Sequence, residues 1–386
     1  MIARAGGSSG RRGGRNAGRP AGLLVALFLV GAAVSVPGTA VAFGTIEGGG
    51  QHREHERVTR AAVGCAAGAT GDCFEPASLN QLAGHGQQFG AVGSPDRTEA
   101  SDPTAHCDDA DFLAGRYPRT RAAATEALRH CVGHLRQRFR EAVVSAGGLL
   151  DAEGRITDAE TRLGTDCLLA PHTDSRAKCA SLESFGRALH GVQDFYSHSN
   201  WTDVADPGRP AGTDNPPGLN LPAPSPVLDL RGTGPPAVPT DLTTGCFVLR
   251  DQVNGVGACA DRITHATLNK DNGLIDPSTG VTSDPTTPRG RTEGNFARAV
   301  AGAVTETRHQ WRDFRAALKT TYGARKASLM ACALTHDDPT DDCVSAGWAR
   351  TGAVLGLVGL VIAALGAGTL LARRRGRTTG APDDIR

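Results

Sequence analysis

The stretch HGVQDFYSHSNW, His190 to Trp201, constrains this chain more than any other. His190, Asp194 and His198 stand at i, i+4 and i+8, so on a helix all three project from one stripe. Two imidazoles around a carboxylate are ligand types that Zn²⁺ takes. A single helix offers only a stripe, so a closed site needs further ligands from other segments. Phe195, Tyr196 and Trp201 fall in the same stretch of a chain whose aromatic content is 4%. They are the candidate walls of a substrate pocket beside the ligands. A solvated amphipathic helix would account for one HxxxD pair, but the third ligand at the same spacing favours a metal site.

Neither end of the 386-residue chain reads as folded soluble protein. Arg4, Arg11, Arg12, Arg15 and Arg19 precede an apolar run, Ala21 to Val36, and Ala40-Val41-Ala42 has the small-x-small form of a signal-peptidase site. Residues 1–42 are therefore expected to be a signal peptide, with an uncleaved anchor as the alternative. Thr351 to Ala372 is 22 residues without a charge, followed at once by Arg373, Arg374, Arg375 and Arg377. That length suffices to cross a hydrocarbon core of roughly 30 Å, and the arginines form a positive-inside flank. The expected layout is an exported domain over 43–346, a transmembrane helix over 347–372 and a basic cytoplasmic tail over 373–386. This makes the protein a single-pass component of the cell membrane, its bulk outside.

Without those ends the exported part carries a net charge near −8. Such a balance disfavours long-range attraction to nucleic acid or anionic lipid. Ten cysteines, all between Cys65 and Cys343, imply disulfides in an exported chain, and no CxxC supports a thiolate metal site. Short-range pairs Cys65–Cys73, Cys167–Cys179, Cys246–Cys259 and Cys332–Cys343 are attractive and leave Cys107 and Cys131, but spacing does not fix the connectivity.

Helical patterning dominates: Glu54 to Ala66, Arg119 to Ala146, a helix capped near Ser181 and running to about His198, Arg250 to Asn269, and Arg291 to Tyr322. The expected fold class is an all-α exported domain with long loops. The Pro- and Gly-rich stretch 202–245 is either a loop flanking the site or a mobile insertion. Further candidate ligands lie in other segments: His52 and His55 in the first helix, His106, Asp108, Asp109 and Asp111 in HCDDAD, the i, i+4 pair His130 and His134, and His265 in HATLNKD.

These residues bear a resemblance. HxxQDFYSHSNW with LNKD downstream resembles the Het-C-like proteins and the actinobacterial CinY-type proteins, and FGTIEGGGQHREHERVTRAAV resembles the latter as well. The likeness runs from Phe43 to about Tyr322 and is distantly similar to the zinc-dependent phospholipases C and single-strand nucleases. Those are all-helical enzymes with a three-zinc cluster that includes the mature N-terminal amine. The resemblance implies one to three zinc ions. Phe43 would offer the amine, with His55, His130 or His134, His190, Asp194, His198 and His265 as ligands. One of Asp108, Asp109 and Asp111 would be the bridging or base carboxylate. Asn269 stands where the second HxxxD/E motif has its acid, and Asp271, at i+6, points away from His265 on a regular helix.

Three functions follow as expectations: a cell-surface zinc-dependent phosphodiester hydrolase of phospholipase C type, a non-catalytic metal-stabilised surface or recognition protein, and a nuclease. The sequence is silent on oligomeric state.

Overall fold

The structure, a computed structural model, describes residues 43–66, 73–169, 173–247 and 257–343. In chain order the helices are α1 (Glu54–Val63), α2 (Pro76–Ala83), α3 (Gly90–Gly93), α4 (Pro95–Thr98), α5 (Arg121–Ala146), α6 (Asp158–Thr161), α7 (Ala177–His198), α8 (His265–Leu268), α9 (Pro288–Arg291), α10 (Asn295–Tyr322) and α11 (Ala324–Thr335). Two antiparallel ribbons accompany them. One pairs β1 (Glu47–Gly48) with β2 (Gln51–His52), the other β3 (Leu274–Ile275) with β4 (Thr282–Ser283).

The expected fold class needs correction. The described domain is helical, with two two-residue ribbons beside the helices, and the correction falls on the membrane helix. Among the described residues no helix is long and apolar enough to cross a membrane. The span expected over 347–372 lies outside the described residues, as does the expected signal segment.

The helix α7 is the axis of the molecule: all but one of its 22 residues are buried. It packs against α5 and α10, with α3 crossing it nearer the site. A helix enclosed on all sides cannot be solvated anywhere, so its polar stripe must be satisfied from inside. Away from that stripe Phe185 joins Phe139 and Phe314, at ring distances of 6.3 and 4.8 Å, to form the apolar core. Two glycines set the approach of the neighbours. A Cβ at Gly186 would fall 2.4 Å from Ala91 Cβ, and one at Gly191 would fall 2.5 Å from the Ala105 carbonyl oxygen. Only glycine lets α3 and the 105–106 segment come this close, one turn from His190 and next to it.

The long α5 starts at Arg121 rather than the expected Arg119, with Thr120 accepting from the Ala123 amide at 3.1 Å as a cap. Ser181 caps nothing. It lies one turn inside α7 and donates to the Ala142 carbonyl, joining α7 to α5. The helix expected over 250–269 is in its described part a 3-10 turn at Gly257–Cys259 and then α8. The 202–245 segment is a folded cover: Val227, Leu228, Leu230 and Leu242 are buried in the core. All ten cysteines are paired, the four short-range bridges joined by Cys107–Cys131.

Candidate metal centre

Two groups of buried His and Asp side chains flank the stripe of α7. In the first, α7 supplies His190 and Asp194, α1 supplies His55, α4 supplies Asp96, and the loop after α4 supplies His106. Asp194 Oδ1 lies 3.2 Å from His55 Nε2, and its Oδ2 lies 2.9 Å from His106 Nδ1 and 3.1 Å from His190 Nε2. Asp96 Oδ1 stands 3.6 Å from His190 Nε2 and 3.9 Å from His106 Nδ1. No side chain of this group is more than 6% exposed.

The ring orientations are set from outside the group. His55 Nδ1 bonds Gln193 Oε1 at 2.8 Å, and Gln193 Nε2 donates to Thr59 and Thr307. With its amide nitrogen thus committed, Gln193 turns only an acceptor to His55, so Nδ1 carries the proton. His190 Nδ1 donates to the Val92 carbonyl at 2.8 Å, and His106 Nε2 to the Glu99 carbonyl at 3.3 Å. In neutral imidazoles the remaining nitrogens are bare lone pairs, and they face inward. His190 Nε2 and His106 Nδ1 are 2.9 Å apart, which two lone pairs tolerate only with a proton or a cation between them.

The second group lies one turn further along α7. His198 Nε2 is 3.1 Å from Asp271 Oδ1, and its Nδ1 is 3.4 Å from Asp108 Oδ1. His265 Nδ1 is 3.2 Å from Asp108 Oδ2, and its Nε2 is 3.6 Å from Asp271 Oδ2. Asp194 Oδ1 stands 4.0 Å from His198 Nε2 and so looks toward both groups. Asp271 arrives because α8 does not continue. Thr264 caps its start, Asn269 leaves the helix at φ −54°, ψ 123°, and Asn269 Oδ1 accepts from the Asp271 amide at 2.8 Å. This Asx turn folds the chain back. The expectation that Asp271 points away from His265 is overturned because it assumed a regular helix.

Several groups of His and Asp here could hold a metal ion. The donor atoms fit one. His55 Nε2, Asp96 Oδ1, Asp194 Oδ1, His198 Nδ1, His265 Nε2 and Asp271 Oδ2 are all buried without a hydrogen-bond partner. Leaving so many buried polar atoms unmatched is costly unless something else satisfies them. Tetrahedral ligands at Zn–N and Zn–O distances of about 2.0–2.2 Å would be roughly 3.3–3.6 Å apart, close to the spacings here.

The remaining expected site residues divide. Phe43 is buried and sets its ring edge-on to His55, centroids 5.8 Å apart. Asp108 is in the second group, but Asp109 and Asp111 are not. Asp111 is buried and takes Arg119 at 3.0 Å, Arg262 at 2.5 Å and the Tyr117 hydroxyl at 2.5 Å, which makes it a structural anchor. Burial would raise its pKa, but these donors hold it below the usual carboxylate range. Asp109 accepts from the Phe247 amide at 3.1 Å. His130 is 67% exposed and pairs with Glu126 at 3.2 Å, on the solvent face of α5. His134 is half-buried and stands outside both groups, and His52 pairs with Glu47.

Phe195, Tyr196 and Trp201, expected as pocket walls, are buried. They are core, the Tyr196 hydroxyl donating to Glu306 and the Trp201 indole to the Pro222 carbonyl. Besides Phe43, the half-buried Phe247 borders the groups, its ring 5.2 Å from His265 and 6.5 Å from His106. Sequence reasoning missed Asp96, which precedes His106 by ten residues in another element and shares no helical spacing with the stripe. His106 is among the candidate ligands of HCDDAD, although the resemblance gives it no role.

Compared with known proteins, the chain matches no family model, no curated protein and no solved structure.

Without a cation the groups hold protons instead. Burial opposes charge on His106, but Asp194 above all, then Asp96 and Asp108, outweigh it and push its pKa up to about 9. A group raised from an ordinary 6.5 stabilises the fold fully below that value, and the contribution is lost as pH rises through about 9. Chelator-treated protein should therefore lose melting temperature between pH 6.5 and 9. Zinc-supplied protein should not, because the cation needs the deprotonated ligands. Identical pH profiles with and without chelator would count against a cation in these groups.

Proposed function

We propose that the protein is a zinc-dependent phosphodiester hydrolase of phospholipase C type. The observation that carries this reading is the pair of buried His/Asp groups joined through Asp194, with six ligand atoms left unpartnered. Zinc is the cation whose preferences match mixed imidazole nitrogen and carboxylate oxygen in a closed, tetrahedral spacing. Asp96, Asp108, Asp194 and Asp271 together carry the charge that two divalent cations balance when every histidine is neutral. Clustered divalent cations supply Lewis acidity toward a phosphoryl oxygen and toward water. The chain's own part is to hold the ligands in one tautomer through Gln193, Val92 and Glu99, and to orient Asp108 between His198 and His265. Phe43 belongs to the same reading: its ring lies against His55, and cleavage before it would free an amino group as an added ligand of the first group. Phe247 offers an apolar face to the substrate's leaving portion.

A second reading, a metal-stabilised module without turnover, draws on the depth of burial. The ligand side chains are no more than 6% exposed, and closed sites are the mark of structural metals. One experiment separates the two: metal analysis of the zinc-supplied protein beside hydrolysis of bis(4-nitrophenyl) phosphate. The hydrolase reading expects zinc and turnover that His190→Ala abolishes and His130→Ala leaves intact. Bound zinc with no turnover on this or phospholipid substrates would leave the structural module. An absence of bound zinc would end both.

A further inference from the structure

Each group has its own buried ionic brace. Lys270 is fully buried and gives its three donors to the Ser199 carbonyl at 2.9 Å, the Leu268 carbonyl at 2.8 Å and Asp203 Oδ2 at 3.2 Å. An ammonium has three donors and no acceptor, so this environment satisfies it completely. Ser199 follows His198 at the end of α7, and Leu268 closes the α8 turn that begins at His265. One nitrogen thus ties together the two elements that hold the imidazoles of the second group, whose ring centroids are 4.1 Å apart. Asp203, itself buried, also takes Arg289 Nε at 2.9 Å and Nη2 at 3.1 Å, so the clamp is anchored to α9.

The first group is braced by Arg187, also buried. It binds Glu183 within α7, and its Nη1 reaches Thr98 Oγ1 at 3.0 Å and Glu99 Oε2 at 2.7 Å. Thr98 ends α4, which carries Asp96, and the Glu99 carbonyl holds His106. Arg138 of α5 grips the other Glu99 oxygen. The Arg187 and Lys270 networks share no residue.

We propose that Arg187 and Lys270 are positioning residues that brace the two ligand groups separately, so that either group can lose its metal while the other keeps it. The proposal rests on the metal reading above, but it can fail independently of it. The test uses the full chain supplied with zinc, desalted and assayed for metal, and the same proteins with cobalt as a spectroscopic probe. Lys270→Met should weaken the second group about 10–100-fold, the range typical for loss of an outer-shell partner. Its cobalt spectrum should match that of His265→Ala. Arg187→Met should instead reproduce His106→Ala. A general loss of structure would not sort the variants in this way. If Lys270→Met yields no folded protein, Asp203→Asn takes its place, together with graded chelation of the unmodified chain, which should release metal in two steps. Loss of all metal together in either variant, or release in a single step, overturns separate bracing while leaving the metal centre standing. Unmodified protein that binds no zinc overturns the metal reading and this proposal with it.

Discussion

Asp194→Asn should cost the protein its metal at both groups. The carboxylate is fully buried, with one oxygen 3.2 Å from His55 and the other between His106 and His190 at 2.9 and 3.1 Å. It also faces His198 at 4.0 Å. Burial alone would raise its pKa, but His190, then His198 and His55, hold it well below the usual carboxylate range. The amide keeps the shape and removes the charge, leaving a donor where a cation needs an anion. Outer-shell substitutions cost about 10–100-fold in metal affinity, and a central ligand should cost more than that. Zinc affinity measured by competition with a chromophoric chelator should fall by more than about 100-fold, and on the proposed hydrolase reading turnover should fall with it. Full zinc content in this variant would remove the basis for a joined centre.

Phe195→Ala should be the largest purely structural loss. Its ring is enclosed, 5.4 Å from Tyr196 and 5.8 Å from Trp201, and points about 100° away from Asp194 around α7. Truncating a buried phenylalanine costs about 3–5 kcal/mol, a large part of a typical domain's stability. The denaturant midpoint should drop accordingly, while the fraction that stays folded keeps whatever metal and activity the unmodified protein has. A raised KM with unchanged stability would mean that the ring contacts substrate after all.

What could be read from the sequence was whatever a single helix encodes. The i, i+4, i+8 stripe places His190, Asp194 and His198 without reference to the rest of the chain, and the cysteine spacings suggest their own short bridges. The failures are contacts made at a distance or through irregular backbone. Asp96 joins the first group because glycines at 186 and 191 let neighbouring segments press onto α7, which no local pattern announces. Asp271 joins the second because an Asx turn ends α8 after four residues. The i, i+4 spacing of His130 and His134 equals that of His190 and Asp194, yet α5 turns His130 to water, so periodicity shows a face without showing what the face meets. The aromatic run suggests a pocket only because it neighbours the ligands in sequence. On a helix, adjacent residues point about 100° apart, so Phe195 and Tyr196 turn away from Asp194.

The helix α7 contributes to both groups, and the consequence is metric. Asp194 and His198, like His190 and Asp194, are separated by one turn, about 5.4–6 Å along the axis of a rod enclosed on every side. The interval between the two groups is therefore a ruler cut by helix geometry, not a gap that loops can widen or narrow. Changes in the 105–111 or 265–271 segments can alter which atoms complete each end, but they leave the graduation itself untouched. A one-residue insertion between His190 and His198 would rotate one end by about 100° and separate the groups altogether.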